Sequence, residues 1–251
     1  QQSNLNIFTM DDAIARYRVS EGDFGLDIGR ELGTVGEFRV GAYRGVGDAR
    51  VKVGDPSLTG IDFDTGGVFA RLRFDSADSS RFPRKGSFAD IVWNLSRPGL
   101  GADNKFDTIE GDFAQTWSRG KSSLQLGLRY ATTLSSDNTV QDFFPMGGFL
   151  NLSGLERGEI TGPHAGLARL LYYRRVGETT GDLFETPIYL GVSAEAGNVW
   201  QTRSDMDLDS MRINGSIFVG MDSFFGPIFL AAGFAEHGQT NFYLFIGTPP
   251  R

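Results

Sequence analysis

Between positions 124 and 130, apolar residues alternate with polar or small ones. Leu124, Leu126, Leu128 and Tyr130 share one face of an extended strand, and Gln125, Gly127 and Arg129 share the other. The same code places Val68, Ala70, Leu72 and Phe74 against Phe69, Arg71, Arg73 and Asp75. It also places Ile188, Leu190, Val192 and Ala194 against Tyr189, Gly191, Ser193 and Glu195. Charges fall on one face only, as expected of a strand with lipid on one side and water on the other. Such segments occur near 7–19, 22–32, 37–47, 67–75, 87–95, 108–119 and 122–133, and again near 163–175, 187–201, 210–224, 227–235 and 241–247. Many reach the roughly 9–11 residues a tilted strand needs to cross hydrocarbon, whereas strands of soluble sandwiches run about 5–6. Trp93, Trp117, Tyr172, Tyr173 and Trp200 lie near segment ends, where aromatic belts form. The pattern predicts an all-β, antiparallel transmembrane β-barrel with about 12 strands in this chain; a soluble β-sandwich or propeller is the alternative.

Connections support the same reading. Positions 33–36 and 225–227 are tight, while 54–64, 97–106 and 176–186 are long, and alternation of short and long turns suits an outer-membrane barrel. From 135 to 162 the alternation stops, and a long irregular segment is expected there. Twelve strands would make a complete small barrel or the last twelve of a larger one, such as a 16-strand barrel.

Composition narrows the class. No Pro- or Ser-rich linker divides the 251 residues, so residues 1–251 read as one barrel domain. A mean hydropathy of −0.21 is low, yet a barrel shows lipid only its alternate residues. The most apolar run, 224–235, is interrupted by Gly226, Pro227 and Gly233 and is shorter than the roughly 18 residues of a spanning helix. There is no cysteine, hence no disulfide or thiolate metal site. A formal charge of −7 argues against a nucleic-acid partner. No signal peptide opens the sequence, and Gln1 reads as a mature terminus or as a cut within a longer protein.

The most specific local signal is Phe144-Pro-Met-Gly-Gly-Phe-Leu-Asn-Leu-Ser-Gly-Leu-Glu-Arg-Gly158. It resembles the inward-folding loop of the bacterial surface-antigen superfamily of outer-membrane assembly and translocation barrels. Asp75 followed by Phe82-Pro83-Arg84-Lys85-Gly86, then Glu195-Ala196-Gly197-Asn198-Val199-Trp200, then Phe225-Gly226-Pro227-Ile228 stand in the family's order. The resemblance covers about residues 65–247. It implies a lumen-loop motif at Gly147, Gly148, Asn151, Leu152, Ser153, Gly154, Leu155 and Arg157, and a barrel-wall partner at Glu195. In the family an arginine of the loop tetrad pairs with that carboxylate. Ser153 stands here instead, able only to hydrogen-bond it, with Arg157 as a possible substitute partner. The ordinary-loop alternative is that Gly147, Gly148 and Gly154 merely permit positive φ on the surface. For Glu195 the plain alternative is a wall charge met by lumen water or a basic group. Gly238, Tyr243 and Phe245 resemble the C-terminal strand signal of the insertion machinery, although six residues follow Phe245. The Leu152-Ser153-Gly154-Leu155 variant looks most like the C-terminal translocator of patatin-like type V autotransporters, which implies a lipase-like passenger upstream.

Catalytic chemistry finds little support. Gly191-Val-Ser193-Ala-Glu195 lacks the last glycine of a nucleophile elbow and lies in mid-strand. His164 and His237, the two histidines, belong to no triad or metal spacing. The expectation is therefore a bacterial outer-membrane translocator or insertion pore, with no catalytic residue, metal or cofactor. Its expected partners are outer-membrane lipid, the insertion machinery and a translocated passenger domain, with a further copy of itself as an additional candidate. A passive porin or small-solute channel is the alternative, and a barrel lipid hydrolase a more distant one.

Overall fold

The computed structural model describes residues 2–9, 12–53, 60–136, 142–180, 185–224, 226–236 and 238–247. Twelve antiparallel strands form one sheet: β1 (Gln2–Thr9), β2 (Asp12–Leu32), β3 (Gly36–Val53), β4 (Ile61–Asp75), β5 (Gly86–Ser96), β6 (Phe106–Arg119), β7 (Ser122–Ser136), β10 (His164–Thr180), β11 (Glu185–Trp200), β12 (Arg212–Ser223), β13 (Gly226–Ala235) and β14 (Thr240–Ile246). Each pairs with the next in that order, and two short strands, β8 (Phe144–Met146) and β9 (Ile160–Gly162), pair apart from it.

The expected count of twelve holds for the main sheet, with boundaries moved at two places. The predicted strands 7–19 and 22–32 are instead β1 and a single 21-residue β2. The run Ser20-Glu21-Gly22-Asp23 has turn-like composition, yet it pairs throughout with Asp48-Gly47-Val46-Gly45 of β3. A long hairpin that leaves the apolar zone no longer needs an apolar face, so alternation fades while hydrogen bonding continues. Likewise the long connection predicted at 176–186 is mostly strand, since β10 runs to Thr180 and β11 begins at Glu185.

Strand direction sorts the connections onto two ends. The near end carries 33–35, 76–85, 120–121 and the β12–β13 turn; the far end carries the β3–β4 connection, 97–105, the long β7–β10 segment and 201–211. Gln1, residues 10–11, 54–59, 137–141 and 181–184, Phe225, His237 and residues 248–251 lie outside the described residues.

Outward positions are apolar around the sheet. Leu26, Leu72, Leu128, Leu190, Ile217 and Leu244 are all exposed, and Leu26 and Leu244 are more than 70% exposed. A continuous apolar surface of this extent is an aggregation hazard in water and an ordinary surface in lipid. No helix among the described residues is long and apolar enough to cross a membrane.

The sheet curls about a packed interior. From the near end, 76–85 sends Phe82 across to β11, where its ring stacks on Tyr189 at 4.1 Å between centroids. Arg81 reaches Asp222 of β12 at 2.6 Å, and the Tyr173 hydroxyl donates to the Pro83 carbonyl. From the far end, the β7–β10 segment turns inward, and its Phe149 meets Phe218 and Phe229. The two intrusions share one aromatic cluster. Glycines make room for it, because a Cβ at Gly191 would stand 2.2 Å from the Phe218 ring and one at Gly220 would stand 2.7 Å from Phe82.

Candidate functional site

Pairing aligns the inward residues of β10 to β14 into rows across the wall. Arg169, Glu195 and Asn214 form the first; Ser193, Ser216, Gly233 and Asn241 form the next toward the near end. Below them lie Tyr173, Gly191, Phe218, Ala231 and Tyr243. The polar rows sit where the inward loop turns, and the aromatic row receives its tip.

Glu195 is 2% exposed and accepts three hydrogen bonds. The Ser153 amide donates to its Oε2 at 2.7 Å, the Ser153 hydroxyl to Oε1 at 2.6 Å, and the Ser193 hydroxyl to Oε1 at 2.5 Å. Arg169, also buried, stands opposite Glu195 in register and donates to the Leu150 carbonyl of the loop. A buried carboxylate so surrounded has its charge met by fixed donors and a facing cation. Asn214 Oδ1 accepts from the Gly154 amide at 3.0 Å. The Tyr243 hydroxyl lies 2.8 and 2.7 Å from the carbonyls of Ser153 and Leu155, which share its one proton, and Asn241 donates to that of Gly154 at 2.8 Å. Three strands, β11, β12 and β14, thus hold the backbone of three consecutive loop residues.

Close approach is the second component. A Cβ at Gly233 would lie 1.9 Å from the Ser153 carbonyl oxygen, and one at Gly154 would lie 2.2 Å from the Ala235 nitrogen. Glycine at 154 therefore serves contact with the wall, not positive φ. Gly147 and Gly148 do take positive φ, of 117° and 110°, and Leu150 and Leu152 take 58° and 69° despite their side chains. Left-handed leucines cost about 1–2 kcal/mol each, offset here by burial of both side chains. At the loop base, Leu152 and Leu155 join Met146, Ile160, Ala165 and Leu167 in an apolar cluster.

The remaining sequence-derived residues fall as follows. Asn151 closes the turn, its carbonyl accepting from the Gly147 amide at 2.8 Å. Ser153 hydrogen-bonds Glu195 through both its amide and its hydroxyl, whereas Arg157, the alternative partner, is exposed and is not among the partners of Glu195. Gly238 turns the chain into β14 with φ 85°. Tyr243 and Phe245 point inward, Phe245 packing near Phe149 and Phe229, while Phe242, Leu244 and Ile246 face outward. Ser193 donates to Glu195 and meets Ser216, and His164 shares a 2.8 Å hydrogen bond with Thr132. Sequence reading missed Arg169, Asn214, Gly233 and Asn241; only the pairing register, which a long loop conceals, brings the first two beside Glu195 and the last two against the loop.

The wall of β3 to β7 has a different character. Asp90 takes both Arg71 and Arg73, Arg39 bridges Asp27 and Glu37, and Arg129 lies 3.7 Å from Glu110. Interleaved pairs largely cancel, so weak ion selectivity is expected. Asp90→Asn leaves two inward guanidiniums without that carboxylate, and reversal-potential measurements across a salt gradient should then shift toward anions. An unchanged reversal potential would place these residues off the conducting path.

No family model matches the sequence, and no curated protein matches it. Among solved structures, the chain is similar to the crystal structure of BamA from Haemophilus ducreyi lacking POTRA domains 1–3, with a TM-score of 0.71 and 15% identity over 97% of this chain and 56% of that one. The chain thus spans little more than half of the length of that structure. At this identity the likeness establishes the fold, an antiparallel sheet of the BamA barrel type.

Proposed function

We propose that this chain is an outer-membrane β-barrel of the assembly and translocation type, acting as a scaffold or pore for protein and not as an enzyme. The observation that carries the reading is the loop locked by Ser153 to Glu195 within a BamA-like fold. Its exposed apolar belt suits a bacterial outer membrane, and its packed interior at β10 to β14 suits a braced, partly occupied lumen better than an open porin bore. The Leu152-Ser153-Gly154-Leu155 sequence supports the finer reading of a translocator fused to a patatin-like passenger. In that reading, β1 and β14, paired on one side only among the described residues, are edges that an incoming strand could use.

Deletion of 147–157 tests the bracing role. Single-channel recordings in planar bilayers should show a higher conductance for the deletion than for the intact protein. Equal conductance would remove the loop from the lumen path and return the porin reading to the front.

A further inference from the structure

Outward residues of β10 to β14 also form rows. Tyr172, Val192, Ile217, Ala232 and Phe242 make one, and Arg174, Leu190, Val219, Leu230 and Leu244 make the next toward the near end. A recess of about 630 Å³ opens outward between them, within the size range of small-molecule sites. Apart from Arg174 at its edge, its lining is apolar or aromatic.

Arg174 is out of place on this face. Among outward positions 166–174, 188–196, 213–221, 228–234 and 242–246 it alone carries a charge. It is exposed and makes no hydrogen bond or ion pair among the described residues. The row continues through Ser122 to Arg119, also exposed and also without such a partner there. The two arginines are two strands apart, about 10 Å, close enough for both side chains to converge on one anion. Beside them, Lys121 occupies the adjoining turn and Arg84 donates to the Gly120 carbonyl at 2.6 Å. In a chain of net charge −7, this near-end rim is locally basic. An arginine on the lipid face is tolerated near the interface, where it can meet headgroups.

We propose that the recess holds one anionic phospholipid of the leaflet at the near end. Its phosphate lies between Arg119 and Arg174, and one acyl chain lies along Val192, Ile217 and Ala232. The inference rests on the reading that the apolar belt lies in a bilayer. The charge complementarity of an otherwise apolar groove selects this occupant over a partner protein or an uncharged lipid.

Trp117 pairs with Leu124, which pairs with Tyr172, so it stands in the row of the recess and reports on it. Trp93, on β5, reports the belt elsewhere. Forms retaining only Trp117 or only Trp93 are reconstituted in vesicles of phosphatidylcholine and phosphatidylglycerol, with bromine on the chains of one lipid at a time. Brominated phosphatidylglycerol should quench Trp117 more than its mole fraction predicts, by about fivefold per arginine, and should treat Trp93 like brominated phosphatidylcholine does. Arg119→Gln with Arg174→Gln should abolish the preference. Equal quenching of Trp117 by the two lipids, or a preference that survives both substitutions, would overturn the proposal while leaving the bilayer reading intact. A Trp93 quenched by neither lipid would overturn the bilayer reading itself. If the tryptophan variants fail to fold, native mass spectrometry of the unsubstituted protein should show one retained phosphatidylglycerol that the double glutamine variant loses; retention by both, or by neither, contradicts the proposal.

Discussion

Replacing Glu195 with alanine is expected to release the inward loop from the wall. The substitution strands the Ser153 amide and hydroxyl without their acceptor and leaves Arg169 buried without the facing charge. Breaking a buried charged cluster by removing one member costs about 3–5 kcal/mol. The sheet itself keeps its ladder, so the loss should appear in the docking of 147–158. Limited proteolysis should cut within this loop in the Glu195→Ala protein and spare it in the parent, and planar-bilayer traces should become larger and noisier. Glu195→Gln retains one acceptor oxygen and should have a smaller effect. A loop equally resistant in both variants would mean that the apolar cluster around Leu152 and Leu155 holds it unaided.

Gly233→Val is expected to have a comparable effect by a steric route. Its Cβ would fall 1.9 Å from the Ser153 carbonyl oxygen, a distance no rotamer change relieves because the obstacle is backbone. The loop must then lift from β13, losing the Tyr243 and Asn241 hydrogen bonds to 153–155 as well. Strand pairing at Gly233 tolerates valine, which favours extended backbone. The variant should therefore assemble with normal heat-modifiable mobility on gels and yet show a protease-sensitive loop. A variant that assembles with a protected loop would contradict the close approach of loop and wall. The pair of substitutions separates chemistry from space: one removes the acceptor and leaves the room, the other fills the room and leaves the acceptor.

Period-two alternation was sufficient to read the wall. Leu124 to Tyr130 and Ile188 to Ala194 face the sides the pattern assigns, because a one-residue slip would turn every apolar side chain inward. Alternation failed where its cause lapses. Beyond the apolar zone, around Ser20–Asp23, the β2–β3 hairpin continues on hydrogen bonds alone. The inward loop was legible as a break in alternation with a distinctive run of glycines, and Glu195 as a charge on the inner face. How the two meet was not, since position 153 carries serine and its partner set depends on backbone atoms. Two amides and three carbonyls have no sequence signature, and Asn214, Tyr243 and Asn241 become neighbours of the loop only through the register of β11 to β14. The outward Arg119 and Arg174 were hidden for a similar reason: each is one of several charges in its own strand, and they share an outward row only after β6, β7 and β10 are paired.

Residues 147–158 form part of the inner wall. Hydrogen–deuterium exchange of the membrane-reconstituted protein, followed by mass spectrometry of peptides spanning this segment, tests this placement most directly. The Ser153 and Gly154 amides donate to Glu195 and Asn214 within a buried interface, so the segment should exchange as slowly as peptides from β11. Complete exchange at the rate of an exposed loop would contradict the account.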